Sequence, residues 1–261
     1  MEKSMSQEMI PHTIHYCWFG GRPLSPLAQK CIDSWKKYCP DYEIKRWDES
    51  NVDLNSCAYV NEAYQAKKWA FVSDYVRFDV LYEFGGVYFD VDVELVKPLD
   101  PIIQKGPFMS IESYPGCFSG GNDDILLNPG QGIAAEKNNP FYKEILDYYK
   151  TIHFITEEGT QNTKTVGQHV TAILLSKGLE KENKYQVVNG INIWPKEYFN
   201  PVNPNSGRIE IGEETVSIHH YAGTWVDKKT RIRDKCFQFT YRVFGKRVAD
   251  YLKKGYRKVF K

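Results

Sequence analysis

The sequence predicts an α/β fold, a domain built on a mostly parallel, Rossmann-like sheet, and three observations predict it. Residues 13–47 open as strand, helix, strand, the βαβ unit of a parallel sheet. Residues 69–95 read as a long apolar helix that turns on paired glycines into an apolar strand. Strands and helices keep alternating as far as about residue 225, with no internal repeat or low-complexity linker. The expected division is a domain over residues 1–225 and a basic helical tail over 226–261.

In order along the chain, TIHYCWF (13–19) alternates and is rich in β-branched and aromatic residues, so it is the first strand. GGRPLSP turns the chain, and LAQKCIDSWKKYC places apolar residues at Leu27, Cys31, Ile32, Trp35 and Tyr38, a helical spacing. YEIKRW (42–47) alternates again as a second strand. In WAFVSDYVRFDVLYEFGG (69–86) a broad apolar arc runs from Phe71 to Tyr82, and Gly85 sits where a helix-ending glycine belongs. VYFDVDVEL (87–95) then reads as one strand. After the polar, glycine-rich stretch near 124–132, helices are expected at about 140–150 and 165–178, and TVSIHHY (215–221) alternates as a late strand.

Charge divides the 261-residue chain more sharply than its net +1 suggests. Residues 226–261 hold 13 Lys and Arg against three Asp, so an acidic body carries a basic tail. Within the tail, Phe244, Val248, Leu252, Tyr256 and Val259 form a stripe at helical spacing, with Lys and Arg on the other faces. Such a segment either packs on the body with a solvated basic side or lies on an anionic membrane surface. No stretch reaches the roughly 20 apolar residues of a membrane span, and MEKSMSQEMIPHTIHYCW lacks the layout of a signal peptide. The expected location is therefore cytoplasmic, with peripheral contact at the inner face of the membrane through the tail. The six cysteines are scattered without CxxC pairing and are expected as free thiols. No nucleic-acid-binding motif accompanies the basic tail.

The strand at 87–95 poses a chemical question, because it ends on Asp90 and Asp92. In a regular strand both carboxylates share a face, about 7 Å apart along it. Two anions confined there repel unless a divalent cation such as Mn²⁺ or Mg²⁺ takes them as oxygen ligands. On the spacing alone a plain exit into solvent is the simpler reading, since D-x-D is a common sequence. Open α/β sheets, however, bind ligands beyond the carboxyl ends of their strands. One helix upstream, Ser73, Asp74 and Arg77 of SDYVR lie in an otherwise apolar segment. Asp74 and Arg77 are three apart and so share a face, as a surface ion pair or as part of the same site.

Taken together, IPHTIHYCWFGGRPL, SDYVRFDVLYEFGGVYFDVDVELVKPLD and HHYAGTW resemble glycosyltransferase family 32, whose relatives include initiation-type α-mannosyltransferases, bacterial polysaccharide-synthesis enzymes and the glucosylating domain of large clostridial toxins. The matching segments concentrate in residues 10–100 and 217–225, and the middle of the chain matches loosely. The resemblance implies a GT-A fold, a UDP-sugar donor, Mn²⁺ or Mg²⁺, and retention at the anomeric carbon. It implies that Trp18 stacks on the nucleobase, that Asp74 and Arg77 hold sugar hydroxyls, and that Tyr88 and Asp90 lie near ribose and phosphate. Asp92 is then the direct metal ligand, Asp90 assists, and Trp225 closes over the diphosphate.

Adjacent strand residues face opposite ways, so only one of His219 and His220 can complete the metal shell; His220 is the expected one. Asn128 is expected to touch the sugar from an acceptor-side wall made by the glycine-rich segment, which also offers Asn122, Asp123 and Asp124. Gln168 and His169 are read as a polar helix face. The implied activity is hexose transfer to an acceptor hydroxyl, on a glycan or lipid-linked oligosaccharide in capsule, exopolysaccharide or O-antigen assembly. A toxin-like protein glycosyltransferase, a non-catalytic nucleotide-sugar binder and a metal-dependent phosphohydrolase using the same aspartates are the alternatives.

Overall fold

The computed structural model describes residues 9–115, 124–222 and 228–259. The first half runs β1 (Thr13–Cys17), α1 (Pro26–Tyr38), β2 (Glu43–Trp47), α2 (Ala58–Gln65), α3 (Trp69–Phe84), β3 (Gly86–Tyr88), β4 (Val93–Leu95), α4 (Asp100–Ile103) and β5 (Phe108–Ser113). The second half continues with β6 (Leu126–Leu127), β7 (Ile133–Ala135), α5 (Pro140–Tyr149), α6 (Val166–Ser176), β8 (Gln186–Val188), β9 (Ile191–Trp194), α7 (Lys196–Phe199), β10 (Ser217–His219) and α8 (Lys228–Val259).

The main sheet is ordered β2-β1-β3-β7-β5-β9-β8, with β6 on β5, and β10 pairs with β4 in a small second sheet. β1, β2 and β3 are mutually parallel, as are β5 and β9, while β7 runs antiparallel between β3 and β5. The expected α/β fold is therefore present, on a mixed, largely parallel sheet. The parallel strands deliver their carboxyl ends to one edge, where Trp18 follows β1 and Asp90 follows β3.

Strand alternation divides the core between the two faces of this sheet. Tyr88 joins Phe71, Tyr75, Phe78, Tyr142, Tyr149 and Val170 under α2, α3, α5 and α6. Val87 and Phe89 join Ile14, Trp35, Ile102, Phe108 and Phe199 under α1, α4 and α7. α3 is buried around most of its circumference, including Asp74 and Arg77, which explains why its sequence shows a broad apolar arc instead of a stripe. Its exit needs two glycines, since Gly85 and Gly86 hold φ of 68° and 106°. A Cβ on Gly86 would also meet the Thr13 carbonyl oxygen at 2.7 Å.

Two expectations about single strands are corrected. Residues 87–95 are not one strand but β3, a turn, and β4, because the chain leaves the main sheet at Phe89 to pair with β10. α1 fixes the new direction: Trp35 Nε1–H donates to the Val93 carbonyl at 2.8 Å, and the Leu95 N–H donates to Ser34 Oγ at 2.9 Å. The late strand contracts to Ser217–His219. The tail is helical as expected but is broken at Gly245 (φ 78°, ψ 178°). Ala249 is buried, Gly207 lies against Gln238, and Phe244, Val248 and Leu252 of the expected stripe are exposed. The first segment adds a second exposed row of Ile232, Cys236, Phe239 and Val243 at helical spacing.

Candidate active site

The DVD segment does not continue the strand. Asp90 N–H donates to the Gly130 carbonyl at 2.9 Å and Val93 N–H donates back to the Asp90 carbonyl at 3.1 Å, closing a turn over residues 90–93. The turn replaces the expected strand spacing with convergence. A ligand atom from each of Asp90, Asp92 and His219 lies within 4.8 Å of the other two.

The histidine is His219, which corrects the expectation of His220. β10 pairs antiparallel with β4 so that His219 stands opposite Val93, one residue from Asp92. His219 is buried with Nε2 3.3 Å from Asp92 Oδ1. His220 points the other way, and its Nε2 meets Glu94 Oε2 at 2.8 Å, where Lys30 Nζ also binds at 2.7 Å. Alternation correctly forbids both from facing the aspartates; the strand register decides which one does.

Asp90 is braced from α3 and β3. Arg77 Nη2 lies 2.9 Å from Asp74 Oδ1 and 3.4 Å from Asp90 Oδ1, and the Tyr88 hydroxyl donates to Asp90 Oδ1 at 3.0 Å. Arg77 Nε donates to the Ser73 carbonyl at 3.0 Å, and its guanidinium lies 5.0 Å from the Tyr88 ring centroid. The Ser73 hydroxyl donates to the Trp69 carbonyl of its own helix. Asp74 and Arg77 are thus a buried pair and not a surface one, at 7% and 3% exposure.

Burial and charge oppose each other throughout this cluster. Burial pushes the Asp74 carboxyl up to about 7 even against the neighbouring Arg77. Burial also works against the Arg77 charge, but the surrounding Asp90, Tyr88 and Asp74 hold its pKa above the usual arginine range. For Asp92 burial is overcome by the charge and hydrogen bond of His219 and by the Ala222 N–H at 2.7 Å, which hold it down at about 2. His219 is pulled down by burial and lifted further by Asp92, Asp90 and Glu112, so it sits above its ordinary value.

A wall of the site comes from the loop before β7. Asn128 Oδ1 accepts from Gly130 N–H at 2.8 Å, and Gly130 lies so close to Asp90 that a Cβ there would stand 2.1 Å from Asp90 Oδ2. Glu112 of β5 hydrogen-bonds Asn128 and Tyr221, and burial raises its carboxyl despite His219 nearby. The Tyr221 ring lies 4.1 Å from that of His219, and its hydroxyl accepts from Asn200 Nδ2. Glu112, Tyr221 and Asn200 were not anticipated. A lone carboxylate inside the apolar strand FMSIES was the one available signal for Glu112.

Asp74, Arg77, Tyr88, Asp90 and Asp92 therefore come together, with Asn128 beside them. Trp18 is half-buried just past β1 at the same sheet edge, its Nε1–H donating to the Arg22 carbonyl at 2.6 Å. Trp225, Asn122 and Asp123 lie outside the described residues, and Asp124 pairs with Lys181 at 3.0 Å. Of the polar face expected at Gln168 and His169, Gln168 is exposed as expected and His169 is corrected. Gln168 closes a capping box with Thr165, and His169 is buried against Tyr148, whose hydroxyl is 2.7 Å from its Nδ1.

The donors suit a divalent cation. Two carboxylates and an imidazole converge, Asp92 is ionised across the ordinary pH range, and the buried His219 Nδ1 has no hydrogen-bond partner. The proton held between Asp92 and His219 is one that a bound cation would displace.

The chain is similar to several known proteins. Residues 25–109 match the family model of the glycosyltransferase sugar-binding region containing the DXD motif, and Asp90-Val91-Asp92 is a D-x-D sequence inside that match. Inositol phosphoceramide mannosyltransferase 1 of Schizosaccharomyces pombe is 27% identical over 133 residues, 47% of this chain and 40% of the relative. Inositol phosphoceramide mannosyltransferase 3 of the same organism is 27% identical over 144 residues, 52% of this chain and 36% of the relative. The chain thus aligns with less than half the length of either. An uncharacterized glycosyltransferase, L373, of Acanthamoeba polyphaga mimivirus is 22% identical over 202 residues, covering 75% of this chain and 74% of that one. Among solved structures, the PaToxG glycosyltransferase is 24% identical with a TM-score of 0.48, covering 66% of this chain and 71% of its own. The galactosyltransferase LgtC, solved with donor and acceptor sugar analogs, is 14% identical with a TM-score of 0.42, covering 84% and 91%.

Proposed function

We propose that this chain is a metal-dependent, retaining glycosyltransferase that moves a hexose from a UDP-sugar to an acceptor hydroxyl, with residues 1–225 as the catalytic unit. The observation that carries the reading is the convergence of Asp90, Asp92 and His219 beside the buried Asp74–Arg77 pair, with Asp74, Arg77 and both aspartates inside the matched segment and His219 brought to it by β10. Asp92 and His219 hold the cation and Asp90 completes the set. Arg77 and the Tyr88 hydroxyl fix the Asp90 carboxylate, so the site is organised before substrate arrives. The chemistry a bound Mn²⁺ or Mg²⁺ supplies there is neutralisation of the charge that builds on the departing diphosphate. Trp18 offers an indole face to the nucleobase, and Asp74 orients sugar hydroxyls. No protein nucleophile is assigned.

The acceptor in this reading is lipid-linked. Two relatives are named for mannose transfer involving a phosphoceramide, and the tail supplies a surface for anionic lipid. No helix among the described residues is long and apolar enough to cross a membrane. The tail instead exposes Phe244, Val248 and Leu252 next to Lys246 and Arg247, apolar and cationic groups that complement an anionic interface. The test is nucleotide release from a panel of UDP- and GDP-sugars with Mn²⁺, with and without acceptors. Release coupled to sugar appearing on an acceptor supports transfer; release into water alone indicates a hydrolase, and no release with any donor refutes catalysis. Sedimentation with phosphatidylglycerol vesicles, with and without residues 240–261, tests the tail, and equal sedimentation of both forms refutes it.

A further inference from the structure

Where the basic helix meets the body, the structure holds a cavity that the proposed reaction does not use. Its volume is ≈ 210 Å³, and it is lined by Asn203, Ser206, Arg208 and Glu210 of the body and by Tyr241 and Arg242 of α8.

The body side is preformed. Asn203 Oδ1 accepts from the Asn205 and Ser206 N–H groups at 3.0 and 3.1 Å, the Gly207 N–H donates to the Asn203 carbonyl at 2.7 Å, and the Asn203 N–H donates to the Arg208 carbonyl at 2.8 Å. This closed turn carries Arg208 at its end. Gly207 holds φ 67°, and α8 packs so near it that a Cβ would stand 2.6 Å from Gln238 Oε1. Tyr241 and Arg242 follow Gln238 by three and four residues, so all three share the helix face turned to the body.

Two guanidinium groups meet at this cavity. Among the described residues neither Arg208 nor Arg242 forms an ion pair, and Arg242 is tethered through Nε, which donates to the Gln238 carbonyl at 3.4 Å. The single carboxylate on the wall, Glu210, accepts from Asn203 Nδ2 at 3.1 Å, and the lining keeps a net positive charge. Guanidinium forks take phosphate by paired hydrogen bonds, while Glu210 and the Ser206 and Tyr241 hydroxyls suit the hydroxyls of a small polyol.

The same helix supplies the reason to read that phosphate as a lipid's. At roughly 100° per residue, Arg242 falls between Gln238 on the body side and the exposed row of Ile232, Cys236, Phe239 and Val243. A cationic hollow bordered by an exposed apolar ridge complements an amphiphile better than a free ion.

We infer that this cavity seats the phosphodiester headgroup of an anionic glycerophospholipid, with Arg208 and Arg242 on the phosphate and the acyl chains along the apolar row. The inference rests on the lipid-facing tail proposed above and not on sugar transfer. The test is calorimetric titration of the full chain with monomeric dihexanoyl phosphatidylglycerol, with dihexanoyl phosphatidylcholine and glycerol phosphate as the other arms. The variants are Arg208→Gln and Arg242→Gln at the cavity and Lys229→Gln, which removes the same charge from α8 more than three helical turns away; thermal melting checks that each is folded. The expected result is binding of the phosphatidylglycerol, weakened by about tenfold or more in either arginine variant and by less than about threefold in Lys229→Gln. No binding, or equal weakening in all three variants, overturns the seat, the latter because it marks diffuse attraction to the tail. Equal binding of the choline lipid overturns the anionic headgroup, and glycerol phosphate bound as tightly as the lipid overturns the lipid. Vesicle sedimentation that still depends on residues 240–261, with lipid titration unchanged in Arg208→Gln, keeps the tail's membrane contact and overturns the cavity alone.

Discussion

Gly130→Ala is the sharpest probe of the candidate site, because it changes one atom next to one carboxylate. Gly130 is not at a positive φ, so its backbone conformation is open to alanine. The new Cβ, however, would stand 2.1 Å from Asp90 Oδ2 and 3.0 Å from Asn128 Oδ1. Ordinary contact begins near 3.4 Å, so the Asp90 carboxylate must retreat by about 1.3 Å. Its Oδ1 then loses alignment with the Tyr88 hydroxyl and with Arg77. Asp90 is 31% exposed, so water replaces much of what is lost, and the stability change is held to ~1 kcal/mol, or about 2–4 °C in melting temperature. Function is hit harder, since a displacement of about 1 Å in a positioned group costs on the order of 100-fold in rate, ~2.7 kcal/mol. The assay is Mn²⁺-dependent nucleotide release from the donor that the panel identifies, together with Mn²⁺ titration of both proteins. A folded Gly130→Ala protein with the wild-type rate and wild-type Mn²⁺ affinity would refute the assignment of Asp90.

Three further outcomes follow from the geometry. His219→Ala should weaken Mn²⁺ binding by about 10–100-fold while His220→Ala, which touches Glu94 instead, should leave it within a few-fold, as read by calorimetric titration. His15 is held at about 4, below its ordinary 6.5, chiefly by burial, so its contribution to stability is complete above pH 6.5 and is lost as pH falls toward 4. Between pH 7 and pH 5 that loss amounts to about 2 kcal/mol, and His15→Gln should flatten this part of the urea-derived stability profile. Trp35→Phe strands the Val93 carbonyl that the indole N–H now caps, at a cost of about 1–3 kcal/mol in urea denaturation; an unchanged midpoint would show that α1 does not fix the turn.

The sequence made the α/β alternation legible because helix and strand periods differ, and the Gly85-Gly86 pair marks the end of α3 without ambiguity. The Asp74, Arg77, Asp90 and Asp92 grouping was legible too, since all four lie within one helix–strand unit. What failed were statements that needed partners far away in the chain. Asp90 and Asp92 looked like strand neighbours because nothing local announces that Val93 will pair with His219 rather than continue β3. The choice between His219 and His220 depended on that same register. Glu112, Asn200 and Tyr221 come from β5, the end of α7 and the exit of β10, three places with no sequence spacing to connect them. His169 looked polar on its helix because its partner Tyr148 sits on another one.

The turn at residues 90–93 also has a mechanical role. It is the short strap between the large sheet, through β3, and the small β4–β10 ribbon, and the chain leaves that ribbon toward the basic helix. Asp90 stands on one side of the strap and His219 on the other, so an ion gripped by both would rivet the two sheets together. Cargo loading would then stiffen the root of the C-terminal helix, and slower amide exchange at Ile218 and Val93 would register it.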